Sequence, residues 1–270
     1  MKYGVVVLPA QRWPDALRTW RELDDVGFDS AWTYDHVEWR PMPGAPWFGA
    51  YALLAAVAAS TTRIRLGTLV SSINLRHPVM LAQDIVTLNE VSGGRFELGI
   101  GAGSRGFDSM VFGQEPWTLG ERVERLAEYV ELLDLLLTNE RTKFHGTYYD
   151  AVDAPMSGGR VPFTIAVDGP RAMRVAARFG QRWVANTIYG DVAAKCRRLD
   201  DACAAIGRDP LTLGRVLLVD HSTAELSLAQ FREQVDEAAA LGFEEVVVRH
   251  PLDGDRTTFD AIIEGLPRCS

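Results

Sequence analysis

An α/β fold of the (β/α)8 type, a TIM barrel formed as a single domain over residues 1–270, is predicted by three observations. Short apolar, β-branched runs alternate with longer helical patterns along the whole chain. Eight such pairs can be counted, and a strand connection that contains a helix enforces parallel pairing. At 270 residues, with 47% hydrophobic and 24% charged content, the chain has the size of one such barrel. No linker-like or low-complexity segment divides it.

The first pair is YGVVVL (3–8) and ALRTWRELDDVG, where Ala16, Leu17, Trp20 and Leu23 fall at helical spacing and Gly27 marks a stop. SAWTY (30–34) leads through a Pro-rich loop to AYALLAAVAAS. RLGTLVSS (65–72) precedes PVMLAQDIVTLNEVSGG, with Pro78 suited to a first helical turn and Gly93 to the end. FELGIG (96–101) precedes a long loop and the amphipathic LGERVERLAEYVELLDLLL. PFTIAV (162–167) is followed by PRAMRVAARFG, and RWVANT (182–187) by DVAAKCRRLDDACAAIG. LGRVLLVD (213–220) is followed by LAQFREQVDEAAALG, and EEVVVRH (244–250) by TTFDAIIEGL. Segments 35–49, 102–118 and 139–161 are expected to be irregular. The alternative, a doubly wound sheet, would leave eight parallel strands open at both edges.

A formal charge of -8 at pH 7 argues against nucleic acid or an anionic membrane as partner, since either needs a basic face to displace counterions. A small-molecule substrate is expected, and the sequence leaves room for a homodimer. No apolar run approaches a membrane span and no leader pattern opens the chain, so a cytoplasmic location is expected. Cys196 and Cys203 are seven residues apart on an expected helix, roughly 10 Å along its axis, too far for a disulfide. No metal-ligand spacing is present, and no metal is expected.

Gly101, Gly103 and Gly106 match G-x-G-x-x-G, the dinucleotide fingerprint. That motif belongs after the first strand and opens directly into a helix, whereas here it follows the fourth strand and is separated from the next helix by Gly113 and Pro116. Glycine at these positions would instead let backbone approach a ligand at the strand C-terminal face, or only relieve crowding at the rim. The other strand ends carry reactive groups in unusual number: Asp35-His36, Ser71-Ser72, Ser104-Arg105, Asp168 to Arg171, Asp220-His221 and Arg249-His250. His36 stands out, because Asp35 can tune its charge while Trp39 and Trp47 offer flat surfaces to an aromatic ligand.

The segments FDSAWTYDHVEW, RIRLGTLVSSINLRHPVMLAQDIVTLNEVSGGRFELGIGAGS and AVDGPRAMRVAARFGQRWV resemble, in order and spacing, the bacterial luciferase-like superfamily of flavin and deazaflavin oxidoreductases, closest to its F420-dependent branch. The resemblance implies a (β/α)8 barrel, in agreement with the independent count. It implies that Asp35 and His36 are catalytic, with the histidine handling a proton beside the deazaflavin ring. A bulged third strand with a non-prolyl cis peptide between Leu69 and Val70 is implied behind the ring. Leu69, Val70, Ser72, Ala102, Gly103 and Ser104 become candidate cofactor contacts, and Gly169, Pro170 and Arg171 candidates for its phosphate, which a helix N-terminus and a guanidinium suit. Trp39, Trp47, His221 and His250 become candidate substrate contacts.

Two departures accompany the resemblance. F420-using sugar-phosphate dehydrogenases carry a glutamate where this chain has Ser104, and a common glycine pair is here Asp168-Gly169, placing a carboxylate that would repel a phosphate unless turned away. The resulting expectation is an oxidoreductase using F420 to move hydride to or from an unsaturated or imine-like carbon. An FMN-dependent monooxygenase is the alternative, and a cofactor-binding protein without turnover is a third reading.

Overall fold

The computed structural model describes residues 1–39, 41–103, 107–113, 115–252 and 254–266. Its strands are β1 (Lys2–Val6), β2 (Ser30–Thr33), β3 (Arg65–Ser72), β4 (Phe96–Gly101), β5 (Arg141–His145), β6 (Asp150–Pro155), β7 (Phe163–Ala166), β8 (Arg182–Asn186), β9 (Gly214–Ser222) and β10 (Glu245–Arg249). Eight of them close a barrel in sequence order, with β5 and β6 left out and β10 returning to β1. Every neighbouring pair in the barrel is parallel. The connections hold α1 (Trp13–Val26), α2 (Ala50–Ala58), α3 (Pro78–Val91), α4 (Leu119–Thr138), α5 (Pro170–Phe179), α6 (Val192–Ala204), α7 (Leu228–Ala240) and α8 (Thr257–Gly265).

Local chemistry explains the boundaries. Gly27 ends α1 at φ 105°, a left-handed conformation that favours glycine. Pro78 and Pro170 start α3 and α5, where a missing N–H costs nothing. Thr118 and Glu121 form a reciprocal capping box at α4, as Ser227 and Gln230 do at α7.

Because side chains alternate along a strand, the barrel builds two cores. Val5, Ala31, Leu66, Leu98, Ile165 and Val246 belong to the shell packed under the helices. Val6, Trp32, Leu69, Val184, Val216 and Val247 form a separate cluster within the barrel. Toward the strand N-termini the inner positions turn ionic. Arg182 donates to Glu97 at 2.9 Å and also pairs with Glu245, while Arg65 reaches Glu97 at 2.7 Å and Glu245 at 2.8 Å. Ser30 bonds Glu245, and Thr164 bonds Glu97. Burial pushes the Glu245 carboxyl up, but Arg182 and Arg65 outweigh it and hold it below the usual range.

One expectation needs correction. Segment 139–161 is not wholly irregular, since β5 and β6 pair there as an antiparallel hairpin. Its turn is anchored by Glu128 of α4, which accepts from the amides of Thr147, Tyr148 and Tyr149 at 2.8, 2.7 and 2.6 Å. The anchor is tertiary, so strand propensity in the segment carried little signal.

Removing one partner from a buried ion cluster strands the others. Arg182→Met is expected to lower unfolding free energy in urea by about 3–5 kcal/mol. A loss below about 1 kcal/mol, the range of surface pairs, would show that the cluster is dispensable.

Candidate functional site

Above the ionic layer and Trp32, the barrel opens into a cavity of about 300 Å³ at the strand C-terminal ends. Its apolar wall comes from Leu69, Val70, Ala166, Val184 and Leu218, and its polar rim from Tyr34, His36, Ser72, Asp168, Asn186 and Asp220. The Leu69–Val70 peptide bond is cis, at the position the resemblance implies, and the β3–β4 register shifts between Thr68 and Ser71. Ala102 and Gly103 also line the cavity, whereas Ser104 lies outside the described residues. The glycines have an internal reason to be glycine. A Cβ on Gly101 would sit 2.9 Å from Val70, and one on Gly103, at φ +69°, would sit 2.5 Å from Asn74.

His36 is held differently from the expectation. Its Nδ1 lies 2.5 Å from Oδ2 of Asp108, a buried carboxylate whose Oδ1 accepts from the Val37 amide at 2.8 Å. Burial pushes the Asp108 carboxyl up, but the hydrogen bonds from His36 and Val37 outweigh it and leave it below the usual range. An ionised acceptor places a proton on Nδ1 and leaves Nε2 for exchange. Asp35 instead pairs with Arg76 at 2.5 Å, and Arg76 lies over the Tyr51 ring at 4.4 Å. Burial pushes the Asp35 carboxyl up even against that guanidinium. Asp35 therefore packs behind the site, because adjacent residues of an extended segment point to opposite sides.

The aromatic residues of the loop after β2 form a cluster of tilted and edge-on rings. Trp39 lines the cavity with its ring 6.0 Å from that of Trp47, which backs both Trp39 and, at 6.2 Å, His36. Tyr34 meets Trp39 edge-on at 5.8 Å. Its hydroxyl donates to Asp220 at 2.6 Å, and Asn186 donates to the other carboxylate oxygen at 3.0 Å. Burial and the Asp220 carboxylate push the Tyr34 hydroxyl well above its usual range, so it stays protonated. Tyr34, Asn186 and Asp108 were not singled out by sequence; the first directly follows β2 and the second ends β8, positions that could have marked them.

At the start of α5, Gly169 is the N-cap and lends no side chain to the first-turn amides. Asp168, which lines the cavity, is drawn to the buried Lys195, whose Nζ lies 3.1 Å from Oδ1 and 3.1 Å from the Asn186 carbonyl. Gly169, Pro170 and Arg171 do not line the cavity. The exposed Arg171 guanidinium pairs with Glu124 of α4 at 3.0 Å. His221 and His250 line a second cavity, of about 560 Å³, which shares Trp39, Tyr189 and Asp220 with the first. His250 is buried edge-on against Phe259 of α8 at 4.9 Å. Among the described residues no helix is long and apolar enough to cross a membrane.

The profile of the luciferase-like monooxygenase family matches residues 1–225. The chain belongs to this family. Among its relatives, an F420-dependent glucose-6-phosphate dehydrogenase of Amycolatopsis mediterranei is 36% identical over 173 residues, 62% of this chain and 51% of the relative. The chain thus spans about half the length of that curated relative. A 5,10-methylenetetrahydromethanopterin reductase of Archaeoglobus fulgidus is 27% identical over 254 residues, 93% of this chain and 71% of the relative. The solved structure of an F420-dependent secondary alcohol dehydrogenase in complex with an F420-acetone adduct superimposes with a TM-score of 0.87 at 17% identity, covering 99% of this chain and 98% of that one. At that identity the likeness concerns the barrel fold alone.

Burial, reinforced by Arg256, pushes the His250 imidazole down to about 4 from 6.5. Between these values the unfolded chain holds a proton on this residue that the folded chain lacks, so stability falls as pH drops from 6.5 to about 4. His250→Leu removes this site, and its stability difference from the parent should change by about 3 kcal/mol in its favour between pH 7 and pH 4. Parallel urea-stability curves for the two proteins over that range would contradict a neutral buried imidazole.

Proposed function

We propose that the chain is an F420-dependent oxidoreductase that moves hydride between the deazaflavin and an unsaturated or imine-like carbon of a small molecule. The observation that carries this reading is an apolar cavity rimmed by a histidine whose Nδ1 is taken by a buried carboxylate, leaving Nε2 as the exchangeable site. The F420-dependent relatives support it. The residues fit such a group, since a flat ring suits the wall of Leu69, Val70, Val184 and Leu218, with Ser72, Ala102 and Gly103 alongside. When bound, the deazaflavin supplies or accepts the hydride.

The chain's own residues do the remainder. The apolar wall keeps water from the ring face. His36 gives or takes a proton at Nε2, Asp108 holds its tautomer, and Asp35 with Arg76 supports the backbone behind it. Trp39 lines the substrate side, and Trp47 braces it. Gly169 and Pro170 open α5 so that its first-turn amides can face an anionic tail. For Arg171 this leaves its backbone amide. Lys195 neutralises Asp168 and thereby removes the repulsion a carboxylate would exert there.

F420 is expected to bind at least about tenfold tighter than FMN, or about 1.4 kcal/mol, in tryptophan-quenching titrations. In His36→Ala, F420 affinity should stay within a few-fold while turnover falls about 10²- to 10⁴-fold. Equal affinities, with FMN retained on purification, would favour the monooxygenase; undiminished turnover in His36→Ala would remove the histidine from the proton path.

The Lys195–Asp168 pair supplies an independent check. Lys195→Met exposes an unpaired carboxylate beside α5 and should weaken F420 binding by about tenfold. Adding Asp168→Asn should restore it. Failure of the second change to rescue the first would show that Lys195 acts by another route.

A further inference from the structure

Strand β3 breaks its own alternation at the cavity. Leu66 packs in the shell under the helices, so Thr68, two residues on, shares its side. Ser71 also faces outward, since its hydroxyl meets that of Tyr51 on α2 at 2.6 Å. Between them, Leu69 and Val70 both line the cavity. The pairing with β4 accounts for this: Thr68 stands opposite Leu98 and Ser71 opposite Ile100, which leaves Leu69 and Val70 facing Gly99 alone, a bulge of one extra residue. The extra side chain is seated on glycines, for a Cβ on Gly99 would stand 3.2 Å from Val70 and one on Gly101 2.9 Å.

A bulge disrupts the ladder locally, and here side chains span the gap. Ser71 Oγ donates to Thr68 Oγ1 at 2.9 Å, and Thr68 Oγ1 donates to the Gly99 carbonyl at 2.9 Å. Each hydroxyl has one proton to give. Those of Thr68 and Ser71 are thereby committed, so the proton between Ser71 and Tyr51 comes from Tyr51, a phenol that burial pushes above its usual range and keeps protonated. All three residues are buried, and in such a one-way chain each bond polarises the next. The far end is anchored as well. Arg76, paired with Asp35, lies over the Tyr51 ring at 4.4 Å, and Asp35 accepts from the Ser72 amide. The chain thus ties together both flanks of the bulge, the strand opposite and the residue before His36.

We propose that Tyr51, Ser71 and Thr68 are positioning residues for the cofactor ring, their hydroxyl chain clamping the bulge so that Leu69 and Val70 form one rigid wall of the cavity. The three do not line the cavity themselves and act through the two residues they bracket. A wall held in place before binding spares the ring the cost of ordering it. The link to the ring rests on the oxidoreductase reading. The clamp on the bulge does not.

Hydrogen exchange of the unliganded protein, read by mass spectrometry, tests the clamp. In Tyr51→Phe, Ser71→Ala and Thr68→Val the segment 66–73 should exchange about tenfold faster, while β8 and β9 stay within about twofold of the parent. Thr68→Ser keeps the hydroxyl and should exchange as the parent does. Thr61→Val removes a buried hydroxyl bonded to the Val57 carbonyl at the opposite end of the barrel and should leave the ratio between these segments unchanged. Tryptophan-quenching titration with F420 tests the positioning. Its Kd should rise about tenfold in the three variants that break the chain, and stay near the parent value in Thr68→Ser and Thr61→Val. Combining Tyr51→Phe with Thr68→Val should weaken binding no further than Thr68→Val alone, because one chain is broken once. Unaltered exchange over 66–73, or a rise spread evenly over the barrel, would overturn the clamp. Faster local exchange with unchanged F420 affinity would overturn the positioning role, as would an equal loss of affinity in Thr61→Val. Any one of the three chain-breaking variants that folds is enough to decide. A parent protein that ignores F420 would sink the cofactor reading instead, with the exchange data still judging the clamp.

Discussion

Arg65, Arg182, Glu97 and Glu245 neutralise one another inside the barrel, near the strand N-termini. Taking four charges from water is costly, and only mutual pairing together with the hydroxyls of Ser30 and Thr164 offsets that cost. Such a cluster tolerates no change of register, because sliding a strand by one residue would turn a charged side chain out among the helices and an apolar one inward. The alternation that satisfies the cluster also sets what lies above it. Two residues along, the same strands present Trp32, Val184 and Val247 to the inner core, and two further on they present Tyr34, Asn186 and Arg249. The cavity is what remains once the lower layers are filled.

The two carboxylates near His36 illustrate how packing divides chemically similar groups. Asp35 is adjacent in the chain, yet it faces Arg76 and Tyr51 in the shell behind the strand ends. Asp108 is distant in the chain, yet it arrives through a single 3-10 turn, Phe107–Ser109, and binds both the ring and the backbone of the histidine loop. Bonding two successive residues ties the loop after β4 to the loop after β2, so the histidine's orientation depends on both. A similar logic governs Asp168: its carboxylate is compatible with an anion beside α5 because a lysine from the next helix draws it aside.

Much of the barrel was legible because it depends on local signals. Period-2 and period-3.6 patterning marked the eight strand-helix pairs, and β3 and β4 fall on RLGTLVSS and FELGIG themselves. The β5–β6 hairpin was not legible, since its turn relies on a carboxylate from α4. At the site, strand-end position pointed to His36, Ser72 and the glycines 101 and 103, and aromatic character in the same loop to Trp39, all of which line the cavity. It could not tell an inward side chain from one turned aside, which is why Arg171 falls on the outer surface and Asp35 behind the site.

The sequence alone determined the parallel (β/α)8 architecture, the end of the barrel at which reactive groups gather and the family resemblance, since each rests on patterns carried by contiguous residues. Tertiary structure decided which carboxylate holds His36, which cation disarms Asp168, and that the His250 ring is buried against Phe259 of α8. Those outcomes depend on residues from different strands and helices meeting within hydrogen-bond distance. No spacing along the chain encodes such a meeting, because the distance between two side chains at the barrel mouth depends on closure, register and loop path together.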